Sequence, residues 1–126
     1  MLKSALLVTA SIVIGAGAVQ LLHAAGSPPL YTVGEINVKD QAAYEKDLPA
    51  AQKIIKDGGG VYVAGGFGKA KADVGAPAPN RYVIIRYDGG AEAYDKVWNG
   101  GLKDWTDKHS NIADFRIIRV ESVEVK

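Results

Sequence analysis

The chain has 126 residues, no cysteine, and 15 Lys and Arg against 14 Asp and Glu, a formal charge of +1. The missing thiol excludes a disulfide framework, a thiolate metal site and a cysteine nucleophile. The balanced charge provides no general field for nucleic acid or anionic lipid, and a chain of this length supports one small domain.

Residues 1–25, MLKSALLVTASIVIGAGAVQLLHAA, place Lys3 ahead of an apolar run and small residues ahead of Gly26. That order reads as a secretory signal peptide and assigns the protein to the periplasm or the medium. The alternative is an uncleaved membrane anchor, because the run approaches the roughly 20 residues needed to span a bilayer. Gly15, Gly17, Gln20 and His23 lower the hydrophobicity toward its exit, and Ala24 or Ala25 offers a small residue for cleavage. Cleavage removes Lys3 and leaves basic and acidic residues equal in number, with His109 as the remaining imidazole. The expected organisation is a signal peptide at 1–25, a short linker at 26–30 carrying Ser27-Pro28-Pro29, and a domain at 31–126 that is free of the membrane.

The mature chain opens on LYTVGEINV, residues 30–38, whose β-branched and aromatic content predicts a strand. Asp40 then suits a helix N-cap. Over residues 41–57 the apolar positions Tyr44, Leu48, Ala51 and Ile55 follow helical spacing, with Pro49 predicting a kink or a break and Gly58-Gly59-Gly60 a stop. These glycines follow a helix and lead into a strand, which is the wrong context for a phosphate loop. Residues 61–67 predict a second strand, with Gly65-Gly66 marking a bulge or a close backbone approach. The Gly/Pro-rich stretch 68–79 predicts a connection with a short hairpin around 69–74. Residues 80–87, NRYVIIRY, predict a third strand. A second helical region runs from 91 to about 98, is interrupted at Asn99-Gly100-Gly101 and resumes over 102–108. Residues 115–125 predict a fourth strand.

This β-α-β-β-α-β order is that of the ferredoxin-like motif. It implies an α+β fold with an antiparallel sheet of order 4-1-3-2, helices on one face and the other face bare. A bare apolar sheet face points to a homodimer formed through it.

The chain also resembles the DUF1330 family of the dimeric α+β barrel superfamily over nearly all of its mature length. The resemblance rests on the opening strand followed by Asp40-Gln41-Ala42-Ala43-Tyr44, on Leu48-Pro49-Ala50-Ala51, on the Gly59-Gly60 exit and on Gly65-Gly66. It continues through Arg81 ahead of the third strand, the Asn99-Gly100 break and the closing Val120-Glu121. The chain departs from the family in Ser122, where Gly is common after Val-Glu, in an Arg replaced near His109, and in its export signal. The family has no established chemistry, so the resemblance implies a fold and a dimer. Enzymes elsewhere in the superfamily imply, at the level of fold alone, a cofactor-free monooxygenase or isomerase of a small aromatic or lactone substrate. This is the alternative to a non-catalytic, exported, dimeric domain that binds a small molecule between sheet and helices. No cofactor is expected, and nucleotide cofactors are scarce outside the cytoplasm.

Alternation separates the sheet residues into two sets. Ile36 and Val38, Val83 and Ile85, and Ile118 and Val120 form the smoother apolar set and are expected under the helices. Glu35, Arg86, Arg119 and Glu121 then share the bare face with Tyr31, Tyr82 and Phe115. In the 4-1-3-2 order Glu35 falls between Arg86 and Arg119. Glu35, Arg86, Arg119, Tyr31 and Tyr82 are therefore the candidate ligand-binding residues, weighed against a structural ion-pair network at a dimer interface. His109 and Glu35 are the candidate acid–base groups. A lone histidine falls short of a metal ligand set. Trp98 and Trp105 are read as core anchors, and Arg81 as contacting the connection or a partner subunit. No G-x-S-x-G nucleophile signal is present.

Overall fold

The computed structural model describes residues 28–123. Residues 1–25, on which the signal-peptide reading falls, lie outside the described residues, as do 124–126. No described helix is long and apolar enough to cross a membrane.

Strand β1, Leu30–Val38, sits inside a four-stranded sheet of order β2-β3-β1-β4, where β2 is Gly60–Phe67, β3 Arg81–Tyr87 and β4 Ala113–Glu121. All three pairings are antiparallel, and read from the other edge the order is 4-1-3-2. The burial of β1 alternates at every second residue, with Thr32, Gly34, Ile36 and Val38 inward. Its neighbours fall into the same phase: Val83 lies opposite Gly34 and Ile85 opposite Thr32 on one side, Phe115 opposite Ile36 and Ile117 opposite Gly34 on the other.

Helix α1, Gln41–Asp57, covers this inner face through Tyr44, Ala51 and Ile55. It starts as the sequence implies: the Asp40 carboxylate accepts from the Ala43 amide at 3.1 Å, satisfying one of the orphan donors of the first turn. The expected break at Pro49 is absent and the helix runs through it. Pro49 and Glu45 both lie on the exposed side, so the Glu45 carbonyl that loses its donor there is open to solvent. Helix α2, Gly90–Val97, and helix α3, Lys103–Lys108, complete the layer, joined by a π-helical turn, Trp98–Leu102. Gly101 within that turn has φ 144°, a backbone conformation closed to other residues, and it breaks the helical region where Asn99-Gly100-Gly101 predicts. Tyr94, Val97 and Leu102 reach the core from this layer, and Trp98 and Trp105 pack against it.

Three details differ from expectation. The stretch 68–79 forms no hairpin and is irregular, with a turn at Gly68 and a bend over 73–76. The bulge in β2 falls between Tyr62 and Ala64, leaving Val63 as the extra residue, while Gly65 supplies the close approach. Strand β4 takes the opposite phase: Phe115, Ile117 and Arg119 face the helices, and Arg116, Ile118 and Val120 face out. This is fixed by the pairing of Val38 with Ala113 and of Ile36 with Phe115, because a slip by one residue would reverse every side chain of the strand.

Gly65 has φ 110°, and a Cβ built there would overlap the Tyr82 carbonyl; Gly59 has φ 91° with open space around it. Gly59→Ala should therefore cost about 1 kcal/mol, the strain of positive φ alone. Gly65→Ala should cost roughly 3 kcal/mol because strain is joined by a backbone collision. Urea unfolding of the two variants checks the difference, and equal losses would show that β2 relaxes away from β3.

Candidate functional site between sheet and helices

The sequence candidates do not converge. Glu35 faces out, opposite Tyr82 and Arg116, and pairs with Arg116 at 3.5 Å. Arg86 lies opposite Tyr31 and binds Asp88 through Nε at 2.8 Å. Arg119 is on the other side of the sheet, paired with Asp95 of α2 at 2.7 Å and lying 4.8 Å from the Tyr94 ring centroid. The expected Glu35 cluster between Arg86 and Arg119 is thus not formed: the phase of β4 turns Arg119 to the helix side, and the β1–β3 register places Arg86 opposite Tyr31, four residues along β1 from Glu35. Tyr31 and Tyr82 stay on the outer face, Tyr82 opposite Glu35 and Tyr31 opposite Arg86, whereas Phe115 goes inside.

His109 does not reach a cavity either. Its ring stacks on Trp105 at 4.1 Å between centroids, with Nδ1 2.6 Å from the Trp105 carbonyl and Nε2 2.9 Å from the Asp47 carboxylate. Trp105 Nε1 donates to the Asp47 carbonyl at 3.1 Å. Asp47, Trp105 and His109 therefore clasp α1 to α3. Both imidazole nitrogens are occupied by acceptors, so the ring serves as a tie between helices.

The concave site lies under the helices instead. A partly open cavity of about 60 Å³ lies between the inner face and α1, α2 and α3, with a mostly apolar wall. Gly34 leaves space in its floor: a Cβ there would meet Ile36 Cδ1 at 3.6 Å and the Val83 carbonyl at 3.7 Å, ordinary contacts. Aromatic groups stand at both ends. Tyr44 contacts Phe67, Trp105 and Phe115 at centroid distances of 5.9, 5.6 and 6.3 Å. Tyr87 contacts Tyr94 at 5.2 Å, and Tyr94 contacts Trp98 at 6.3 Å.

Arg81 is the residue that sequence reasoning misplaced. It opens β3 in the same phase as Val83, Ile85 and Tyr87, and is 7% exposed. The Asn80 side chain fixes this start by acting as a peptide surrogate: Oδ1 accepts from the Val38 amide at 2.8 Å and Nδ2 donates to the Val38 carbonyl at 2.7 Å. The guanidinium lies 4.9 Å from the Phe67 centroid and 5.6 Å from that of Tyr44. It makes no salt bridge among the described residues, and its Nε is buried without a hydrogen-bond partner. Cation–π contacts of about 1–2 kcal/mol do not offset the several kcal/mol needed to desolvate a cation. The signal available in the sequence was an arginine one step earlier in the inner alternation of β3.

Burial governs the tyrosines around it. The Tyr62 hydroxyl is pushed up to about 12 by burial, against a smaller downward pull from Arg81. Burial also raises Tyr44, with Arg81 again opposing it, and raises Tyr94 against Arg119. Tyr87 is raised by burial and then by Tyr94 and Tyr62, and its hydroxyl has no hydrogen-bond partner.

The arrangement defines an α+β domain with one helix-covered sheet face and a small apolar cavity that holds a buried cation. It has the fold of RPA0582, a protein of unknown function from Rhodopseudomonas palustris: TM-score 0.61, 16% identity, 86% of this chain and 94% of that one. The methylated form of RPA0582 gives TM-score 0.62 at 16% identity, over 85% of this chain and 91% of the other. No family model and no curated protein matches the chain.

Two outcomes follow. Tyr87→Phe removes an unpaired buried hydroxyl, so stability should hold or rise by up to about 1 kcal/mol; a loss of that size in a denaturant titration would show that the hydroxyl is bonded. The raised tyrosines hold their protons in the fold beyond the unfolded pKa near 10. The contribution of Tyr62 is complete below about pH 10 and is lost as pH rises through about 12, and those of Tyr44, Tyr87 and Tyr94 are lost in the same direction. A spectrophotometric titration should show the buried tyrosines ionising late and together with unfolding. Titration of all six tyrosines in one early step with the fold intact would contradict their burial.

Proposed function

We propose that this is an exported, ferredoxin-like domain of the DUF1330 type that binds a small molecule between sheet and helices and works as a homodimer. The observation that carries the binding reading is the cavity itself: concave, mostly apolar, and holding the buried Arg81 and Thr32 side chains in its wall, an apolar pocket with a few convergent polar groups. The outer face supports the dimer. Across its middle run Ala64, Ile84, Val33 and Ile118 in register on four neighbouring strands, and Val61 and Val120 beside them are 41% and 45% exposed. A second copy of the same face would cover this apolar row, with the Glu35–Arg116 pairs at its margin. The catalytic alternative loses its candidates, because neither Glu35 nor His109 lines the cavity.

Native mass spectrometry of protein recovered from the exported fraction should give a dimer whose chains begin near Gly26. Ile84→Lys in the centre of the outer face should convert it to monomer with the fold retained. A wild-type monomer at micromolar concentration would reject the dimer, and a membrane-bound chain that keeps its first 25 residues would reject cleavage.

A further inference from the structure

Arg81 shares the cavity wall with apolar groups and faces no carboxylate among the described residues. A cation held this way lacks the partner that buried charges ordinarily have. It is also reachable. A surface groove lined by Gln52, Val63, Gly65 and Gly66 has Tyr62, Arg81 and Val83 in common with the cavity. Because β2 is the edge strand, this groove brings the surface up to Arg81 at the sheet margin, where Gly65 and Gly66 carry no side chain.

We infer that Arg81 is the anion-recognition group of this cavity and that its ligand is a small monocarboxylate with a short apolar body. The inference rests on the cavity being a ligand site and adds the chemical class of the ligand. One buried cation matches one negative charge and leaves a neutral pair; a dianion such as phosphate would leave a charge over in an apolar wall. The planar guanidinium, braced on the Phe67 and Tyr44 rings, presents parallel donors that fit a carboxylate side-on. The apolar wall takes the remainder of the ligand. A volume of about 60 Å³ corresponds to about two waters, which selects a short chain. Tyr87, whose hydroxyl is the other unpaired donor, stands at the far end of β3 and lies beyond the reach of the same carboxylate.

Butyrate and benzoate titrated into the purified protein at fixed ionic strength test this, with butyramide and benzamide as neutral isosteres and chloride as a plain anion. Tryptophan fluorescence reports the cavity because Trp105 lines it, and the melting temperature gives a second readout. At least one carboxylate should bind ten-fold or more tightly than its amide, and should raise the melting temperature by more than about 4 °C at ten times its dissociation constant. Arg81→Gln should bring carboxylate affinity down to the amide level, and Arg81→Lys should restore part of it. Gly34→Val narrows the cavity without changing charge and should abolish binding of every compound. Equal affinity for carboxylate and amide, or Arg81→Gln binding carboxylate as wild type does, overturns the anion assignment while the cavity stands as a ligand site. Absence of binding by all compounds, or binding unaffected by Gly34→Val, overturns the cavity reading and the assignment together. If Arg81→Gln fails to fold, the carboxylate-to-amide ratio in the wild type decides alone.

Discussion

The phase of the central strand sets the facing of the whole sheet. β1 pairs along both its edges, so Thr32, Gly34, Ile36 and Val38 decide which residues of β3 and β4 turn inward. A two-residue period leaves no intermediate choice. Once Ile36 meets Arg81 on one side and Phe115 on the other, one row holds a cation and an aromatic ring directly beneath Tyr44. The aromatic end of the cavity is thus a consequence of register.

That constraint also explains how charge is distributed. Arg119 and Arg81 are both drawn to the helix side of the sheet, but the helices treat them differently. α2 offers Asp95 to Arg119 beside the Tyr94 ring, at a half-exposed edge where such a pair adds little to stability. α1 offers Arg81 the ring and hydroxyl of Tyr44 and no carboxylate, and β2 the ring of Phe67. The two arginines therefore have similar aromatic surroundings and opposite electrostatic fates. One is neutralised at a margin, and the other is left charged and covered.

Much of the fold was legible in local pattern. The bounds of β1 and α1 follow from composition and from the spacing of Tyr44, Leu48, Ala51 and Ile55, and the break at Gly101 from glycine. What local pattern could not supply was the phase of β4. FRIIRVE contains an apolar residue in either alternation, and Ile118 with Val120 looks the smoother choice. Only the pairing of Ala113 with Val38, a long-range contact, selects Phe115 and Ile117. The same limitation hid the site. Arg81 reads as a charged residue just ahead of a strand until Asn80 is seen bonding to Val38, which carries the ladder one position further and turns Arg81 inward. The Glu35 cluster failed on two long-range counts, since Arg119 was assigned from a phase that β4 does not take and Arg86 pairs opposite Tyr31, four residues along β1 from Glu35.

Gly34 and Arg81 together limit what the interior can be. A larger residue at position 34 would meet only ordinary contacts and would add packing to the centre of the core, where filling space is stabilising. An apolar residue at position 81 would remove an unpaired charge at little cost to packing. Each substitution would improve the empty fold, and each would erase a different property of the cavity, its volume in one case and its charge in the other. A sequence shaped for stability alone has no physical reason to keep both in one wall. Occupancy by a molecule that fills the space over Gly34 and neutralises Arg81 reverses both penalties at once, which is why the cavity and the cation are best understood as one site.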